Sequence, residues 1–191
     1  AQQQQLLKIA SSNSKRLTLL INDLLDLEKL SAHQMVFTIQ PHALDDILQR
    51  AIQENSTYGQ QRLVTFNYQC DSEGLTALCD ENRLLQVLAN LLSNAIKFSP
   101  QQGVVSIRVQ QLQQRAQISV SDQGPGISEA FKAKIFQRFA QENGGNTREQ
   151  GGTGLGLALS KELMQAMQGD IWFTTTPGTG TTFYLNLPLA D

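Results

Sequence analysis

Hydrophobic residues in the first part of the chain follow the periodicity of helices. From Leu6 to Ser31, positions repeat at alternating spacings of four and three residues and form a heptad seam: Leu6, Ala10, Asn13, Leu17, Leu20, Leu24, Leu27 and Ser31. So long and narrow a seam is typical of a coiled coil or four-helix bundle, although an amphipathic helix lying on its own domain is the alternative. A second amphipathic helix is predicted from Ala43 to Tyr58, after a short alternating strand, Met35 to Gln40, that Pro41 ends.

Strand patterns and helix patterns then follow each other along the chain. Strands at Leu63–Cys70 and Leu75–Cys79 flank the turn 71–74 and predict a hairpin. Asp80 stands at the N-cap of a long helix, Glu81 to Phe98, which Ser99-Pro100 ends. The remaining predicted segments are strands at Val104–Gln111 and Ala116–Ser121, a short helix at Ser128–Phe136, a polar loop at Gln141–Gly152, a helix at Leu155–Met167, and strands at Asp170–Thr176 and Thr181–Leu187. This order predicts an α+β fold, a two-layer α/β sandwich whose hairpins form one layer and whose helices cover one face.

Composition narrows the class of protein. With 191 residues and 40% hydrophobic content, the chain can form one globular domain plus an extension. The net charge of −2 and the scattered basic residues argue against nucleic-acid binding. Cys70 and Cys79 have neither metal-ligand nor CxxC spacing, which suits a reducing compartment. No apolar run is long enough to span a membrane, so we expect a cytoplasmic domain, and a longer parent protein could still be anchored in the inner (plasma) membrane.

The predicted helix from Glu81 to Phe98 carries polar residues on one face. Asn90, Asn94 and Lys97 recur at i, i+4 and i+7, whereas the apolar stripe lies on another face. Asparagine disfavours helix interiors, so either solvent exposure or a ligand must account for the pair. An amide oxygen can complete the oxygen shell of Mg²⁺, and a lysine one turn further on can meet phosphate charge.

Glycine-rich turns follow the predicted strands. Asp122 opens a turn in which Gly124 and Gly126 allow the backbone to approach a ligand closely. The carboxylate could accept a hydrogen bond from an exocyclic amine such as that of adenine, although an ordinary Asp-Gly turn is the alternative. For Gly178 and Gly180, a hairpin turn between the last two strands is preferred on local grounds.

A run of glycines, Gly151 to Gly156, precedes the last helix. Helix N-termini present free N–H groups and a positive dipole end that suit phosphate. The run lacks both the GxGxxG spacing of a dinucleotide fold and the Gly-Lys-Ser/Thr ending of a P-loop. Phosphates would therefore be held by a different arrangement.

Five motifs in order identify a family. They resemble the N, first glycine, F, second glycine and third glycine boxes of sensor histidine kinases: Asn90–Phe98, Asp122–Gly126, Phe136–Phe139, Gly152–Gly156 and Gly178–Gly180. The resemblance implies the Bergerat ATP-binding fold, a mixed and mainly antiparallel sheet covered by helices. It also implies that residues 35–191 form the catalytic ATP-binding domain and that residues 1–34 are the second helix of the dimerisation and histidine-phosphotransfer hairpin.

The same resemblance implies roles for individual residues. ATP and Mg²⁺ are the expected cofactors, with Asn94 on Mg²⁺, Asp122 on the adenine amine, and Gly124 and Gly126 under the base. Asn90 and Lys97 would be catalytic, Lys97 also meeting the phosphates. The remaining positions concern the lid over ATP. Gly152, Thr153, Gly154, Leu155 and Gly156 would form its hinge and contact the phosphates, Phe136 and Phe139 would anchor it, and Gln141–Gly152 would be its mobile part, from which Arg148 would reach the γ-phosphate.

The residue at position 90 separates kinases from water-splitting relatives, which resemble this helix but place a glutamate there. An amide cannot activate water as a carboxylate does, so Asn90 favours holding ATP for a histidine nucleophile. The alternatives are a related ATPase, a serine-type protein kinase, or a nucleotide-gated binding module without catalysis.

The acceptor histidine is not evident in this sequence. The only histidines are His33, after a predicted helix end, and His42, after Pro41, and neither has the acceptor signature of His-Glu or His-Asp followed by proline. We therefore expect the acceptor on a helix of the dimerisation domain that precedes this segment. The other implied partners are a response-regulator receiver domain and a second copy of the parent protein.

Overall fold

The first helix, α1, spans Gln2–Ser31 in the computed structural model, which describes residues 2–72, 74–142 and 152–190. Its heptad seam is divided between two environments. Leu27 is fully buried and Leu20 packs against the domain core, whereas Leu17 and Leu24, which alternate with them along the seam, are 58% and 41% exposed. Helix α1 therefore lies on its own domain through one half of the seam and leaves the other half open.

The rest of the chain forms two sheets and four helices in the described ranges. The helices are α2 (Leu44–Gln61), α3 (Glu81–Phe98), α4 (Glu129–Lys132) and α5 (Gly156–Ala166), and the strands are β1 (Gln40–Ala43), β2 (Thr65–Cys70), β3 (Thr76–Cys79), β4 (Val104–Leu112), β5 (Arg115–Ser121), β6 (Asp170–Thr176) and β7 (Gly180–Pro188). Five strands form one sheet in the order β2-β4-β5-β7-β6, in which only β2 and β4 run parallel. Strands β1 and β3 form a separate antiparallel pair.

Alternating burial explains why the helices cover one face of the large sheet. Along β7, Thr181, Phe183, Leu185 and Leu187 are buried, and the residues between them are not. Phe183, Leu185 and Leu187 share one core with the apolar stripe of α3 and with Leu159 and Leu163 of α5. The predicted α+β sandwich, with its mixed and mainly antiparallel sheet, is confirmed.

The local prediction for α3 is also confirmed, and its bounds are the predicted ones. A side-chain oxygen of Asp80 accepts a hydrogen bond from the backbone N–H of Arg83 at 3.1 Å, the expected N-cap geometry. The hairpins β4–β5 and β6–β7 form as predicted. In contrast, the predicted helix at Ser128–Phe136 is α-helical only over α4, and turns follow it.

The predicted hairpin of the strands at Leu63–Cys70 and Leu75–Cys79 is wrong. Both strands exist, but β2 pairs in parallel with β4 and β3 pairs with β1. Burial accounts for β3, since Ala77 and Cys79 are fully buried. The turn between β2 and β3 therefore connects two different sheets rather than two neighbouring strands.

The strand predicted at Met35–Gln40 is wrong as well. Residues 35–39 have no strand partner, and β1 begins only at Gln40 and runs through Pro41. Met35 and Phe37 pack against the core while Val36 is 85% exposed, so the alternation reports burial of an extended segment and not pairing. Pro41 is tolerated because, among the described strands, β1 pairs with β3 alone and so needs no N–H donor on its other side.

Within the described residues, no helix has the length and hydropathy that crossing a membrane requires.

Candidate functional site

Two asparagine amides on α3 lie side by side at the centre of a cleft. Nδ2 of Asn94 donates a hydrogen bond to Oδ1 of Asn90 at 3.3 Å. Nδ2 of Asn90 in turn donates to Oγ of Ser160, a fully buried residue of α5, at 2.9 Å. This chain of amides fixes both side chains and leaves the carbonyl oxygen of Asn94 as the atom directed away from Asn90.

Gly156 allows α5 to approach these amides. A Cβ atom at Gly156 would overlap Oδ1 of Asn90 and lie 2.9 Å from its Cγ. Glycine is therefore required here by close packing of α5 on α3, a use that the sequence motif alone does not reveal.

The loop after β5 turns around the carboxylate of Asp122. Oδ1 accepts hydrogen bonds from the backbone N–H of Gly124 at 2.8 Å and of Thr181 at 3.3 Å. Burial raises the pKa of Asp122, and these two N–H donors oppose the rise. Since both described donors act on Oδ1, Oδ2 is the oxygen that a ligand's N–H group could approach.

Glycines around Asp122 bring three segments of backbone together. At Gly126, where φ is +76°, a Cβ atom would lie 2.6 Å from the carbonyl oxygen of Thr176. At Gly180 a Cβ atom would overlap the carbonyl oxygen of Asp122. The hairpin turn predicted for Gly178 and Gly180 is present, and Gly180 additionally lets β7 pass directly beside the Asp122 loop, which sequence reasoning missed.

The predicted phosphate-contacting run is described from Gly152 onward, and Gly151 lies outside the described residues. Gly154, with φ of +73°, accepts a hydrogen bond through its carbonyl oxygen from the N–H of Phe139 at 2.8 Å. The hydroxyl of Thr153 accepts from the N–H of Leu155 at 3.2 Å and donates to Asp23 of α1 at 3.3 Å. The side chain of Leu155 is fully buried, so only the backbone of this residue can face a ligand.

The two phenylalanines of the predicted lid anchor differ in environment. Phe136 packs against the rings of Phe173 and Phe183, with centroids 6.0 and 6.5 Å away. Phe139 has φ of +61° and is 61% exposed, so it holds the segment through its backbone bond to Gly154. Arg148 and most of the predicted lid, residues 143–151, lie outside the described residues.

One cleft of about 1820 Å³ joins these groups. Asn90, Asn94, Lys97, Asp122 and the glycines at 126, 152, 154 and 156 all line it. Its apolar wall was not predicted and consists of Ile127, Phe131, Ile135, Leu159, Leu163 and Phe183. A polar end and an apolar wall suit a ligand with a flat hydrophobic part and a charged part.

Helix α1 also borders this cleft, which sequence reasoning missed. Nη2 of Arg16 donates to the carbonyl oxygen of Gly152 at 2.8 Å, and Asp26 accepts from Nε2 of Gln86 on α3 at 3.0 Å. Burial raises the pKa of Asp23, an effect that its bond to Thr153 opposes. No sequence signal separates these residues from the other polar residues of an amphipathic helix.

Lys97 lies at the same end of the cleft. Burial lowers the pKa of its ammonium group, and the nearby guanidinium groups of Arg16 and Arg62 lower it further. Nζ stands 4.6 Å from the ring centroid of Phe98. This end of the cleft is therefore cationic, whereas the Asp122 end carries a carboxylate.

Known proteins resemble this chain over most of its length. A profile of the family described as histidine kinase-, DNA gyrase B-, and HSP90-like ATPase matches residues 79–191. The chain is 37% identical over 189 residues to the circadian input-output histidine kinase CikA of Synechococcus elongatus, an alignment that covers 97% of this chain and 25% of CikA. It is 36% identical over 187 residues to the sensor histidine kinase WalK of Bacillus subtilis, with 97% of this chain and 30% of WalK covered.

A solved structure agrees with these sequence relatives. Full-length ShkA, crystallised in complex with AMPPNP, matches 100% of this chain and 40% of its own length with a TM-score of 0.85 and 29% identity. The chain thus spans less than a third of the CikA and WalK sequences that it matches.

Proposed function

Because this chain belongs to the histidine kinase-, DNA gyrase B- and HSP90-like ATPase family, as the ATP-binding catalytic domain of a sensor histidine kinase, we propose that its cleft positions Mg·ATP for phosphoryl transfer to a histidine side chain. In this reaction an imidazole nitrogen forms a bond to the γ-phosphorus. The bond from that phosphorus to the bridging oxygen breaks, ADP leaves, and the imidazole proton passes to solvent. The protein's contribution is positioning and electrostatic stabilisation.

The environment of Asn90 is the observation that carries this proposal. Its amide donates to Ser160 and accepts from Asn94, so both ends of the group are engaged. An amide has no basic site with which to take a proton from water, so this position does not activate water for attack on ATP. Bound ATP would therefore persist until a better nucleophile arrives.

The two ends of the cleft suit the two ends of ATP. Oδ2 of Asp122 would accept a hydrogen bond from the adenine amine. Gly124 and Gly126, whose missing Cβ atoms let this loop pack against the backbone of Phe98 and Thr176, would hold the loop beneath the base. The phosphates would lie at the cationic end, near Lys97 and the backbone of Gly152, Gly154 and Gly156. The apolar wall would cover the base.

Asn94 is the proposed Mg²⁺ ligand. Its amide nitrogen is held by Asn90, which leaves a neutral oxygen on the cleft side, and hard oxygen donors are what Mg²⁺ prefers. Bound there, the ion would neutralise phosphate charge. The side chains of Asn90 and Ser160 keep the ligand oxygen in place.

We propose that residues 1–34 are the second helix of the dimerisation hairpin and residues 35–191 the catalytic domain. The acceptor would lie on the histidine-bearing domain of the same protein, because neither His33 nor His42 is among the residues that line the cleft. We also propose that the parent protein forms a homodimer and that the phosphoryl group then passes from the histidine to a response-regulator receiver domain.

A labelling experiment tests the proposed function. The chain is incubated with Mg·ATP labelled at the γ-phosphate, alone and together with a dimerisation domain that carries the acceptor histidine. Acid-labile label on that domain is the expected result. Steady release of phosphate by the chain alone would point instead to an ATPase, and unchanged bound nucleotide in both reactions would point to a binding module.

A further inference from the structure

Two basic side chains meet beside Gly152, and a third, Arg62, lies next to one of them. Nη2 of Arg16 donates to the Gly152 carbonyl oxygen at 2.8 Å. A Cβ atom at Gly152 would lie 3.4 Å from Nζ of Lys97, so the ammonium group is adjacent to the same residue. Nη2 of Arg62 donates to the backbone carbonyl oxygen of Lys97 at 3.0 Å.

No acid of the described ranges forms an ion pair with any of the three, although seven other ion pairs occur there. Like charges that converge without a counter-ion repel each other, and an anion relieves that repulsion. Burial together with Arg16 and Arg62 lowers the pKa of Lys97, which agrees with such crowding. The cluster therefore has the character of an anion site.

Helix α1 is held against the domain in a way that keeps Arg16 at this site. Asp23 lies seven residues after Arg16, on the same face, and accepts from the hydroxyl of Thr153 at 3.3 Å. Further along, Asp26 accepts from Gln86, and Arg138 donates to Glu28 at 3.2 Å. These contacts join α1 to three separate segments of the domain and fix the rotation of α1.

We propose that Arg16 of α1 is a phosphate-binding residue of the nucleotide cleft, acting with Lys97 on the phosphate end of the nucleotide. This inference rests on the proposed function, since it takes the ligand to be ATP. The guanidinium group has several donors, so it can bond to a phosphate oxygen and to the Gly152 carbonyl oxygen together. Because binding is reciprocal, a nucleotide with its terminal phosphate also favours the docked position of α1.

Dissociation constants for AMPPNP, ADP and adenosine test the role of Arg16. The measurement compares the full chain with Arg16→Gln, which keeps a donor for the Gly152 carbonyl oxygen but removes the charge. Arg16 is exposed, so the variant should fold normally. We expect affinity for AMPPNP to fall about tenfold, the loss for ADP to be smaller, and adenosine to bind unchanged, since charged hydrogen bonds to phosphate are lost. The difference should shrink at high salt.

Arg138→Gln is the matched control. It also removes a cation that holds α1, through Glu28 and Ser31, but Arg138 does not line the cleft. Its AMPPNP affinity should fall much less than that of Arg16→Gln, because an exposed ion pair contributes little to the docking of α1.

Two results would overturn the role of Arg16 but leave the proposed function standing. The first is equal nucleotide affinity for Arg16→Gln and the unaltered chain. The second is an equal loss of affinity for Arg16→Gln and Arg138→Gln, which would assign the effect to docking of α1. If the unaltered chain binds no AMPPNP, the proposed function itself fails.

Discussion

The contact between Gly156 and Asn90 permits a sharp test of how the cleft is built. Replacing Gly156 with alanine places a Cβ atom on top of the Asn90 amide oxygen and 2.9 Å from Cγ. The Asn90 side chain must then leave its position, or α5 must move away from α3. Either response breaks the hydrogen bonds that connect Ser160, Asn90 and Asn94.

The expected magnitude follows from opposing terms. Alanine is the better helix former, by about 1 kcal/mol relative to glycine. Against this, overpacking in a close-packed contact costs roughly 1–3 kcal/mol, and two hydrogen bonds contribute about 1 kcal/mol each. We therefore expect Gly156→Ala to lower the free energy of unfolding by about 2–4 kcal/mol, although helix propensity alone predicts a gain.

A double-mutant cycle with Asn90→Ala separates the clash from other effects. Free energies of unfolding come from urea titrations of the four chains, and affinities for AMPPNP with and without Mg²⁺ come from calorimetry. Because Asn90→Ala removes the atoms that the new Cβ strikes, Gly156→Ala should cost little in that background. Additive effects, or stabilisation by Gly156→Ala in the unaltered background, would refute the reasoning.

Three further predictions concern single side chains. Asn94→Ala should abolish most of the gain in nucleotide affinity that Mg²⁺ provides, about tenfold, and leave binding in EDTA nearly unchanged; an unaltered response to Mg²⁺ in calorimetry would remove the metal assignment. Burial raises the pKa of Asp122 in the folded chain above its value in the unfolded chain. The stabilisation that follows is complete at pH values below the unfolded pKa and is lost as the pH rises through the folded pKa. Asp122→Asn should therefore raise the unfolding midpoint near neutral pH while ATP affinity falls, and a lowered midpoint would contradict this. Burial, with Asp80 and Glu81 nearby, raises the pKa of Cys79 to about 12. Iodoacetamide should therefore label the half-buried Cys70 first in the native chain, and mass spectrometry showing early labelling of Cys79 would be the opposite result.

Features that depend on neighbouring residues could be predicted from the sequence. The N-cap at Asp80, the apolar stripe and the Ser99-Pro100 stop lie within one segment and determine α3 almost without reference to the rest of the chain. The spacing of Asn90 and Asn94 determines that their side chains share a face, and they do contact each other.

Features that depend on a partner far away in the chain could not be predicted from the sequence. Residues 35–39 alternate in burial as a strand would, yet no strand among the described residues pairs with them. Likewise, nothing within β2 or β3 specifies β4 or β1 as the neighbour. In the sequence, Gly180 has only the features of a turn residue. Its close approach to the carbonyl oxygen of Asp122 cannot be read from its neighbours, because that atom lies 58 positions away in the chain. Periodicity reports which side of a segment is covered and not what covers it.

Helix α1 shows this limit with a functional consequence. Its heptad seam predicts a helix that packs against other helices. In the structure the seam positions alternate between two surroundings: Leu20 and Leu27 contact the domain, and Leu17 and Leu24 face outward. Arg16 and Asp23 extend the domain-facing side to the nucleotide cleft. The domain-facing and outward-facing sides belong to one helix. If the outward side of α1 packs in a helix bundle, a rotation of α1 within that bundle would therefore move Arg16 away from Gly152. We therefore expect packing of α1 against other helices and occupancy of the phosphate end of the cleft to be coupled through the rotation of this helix, with no contact between the two sites required.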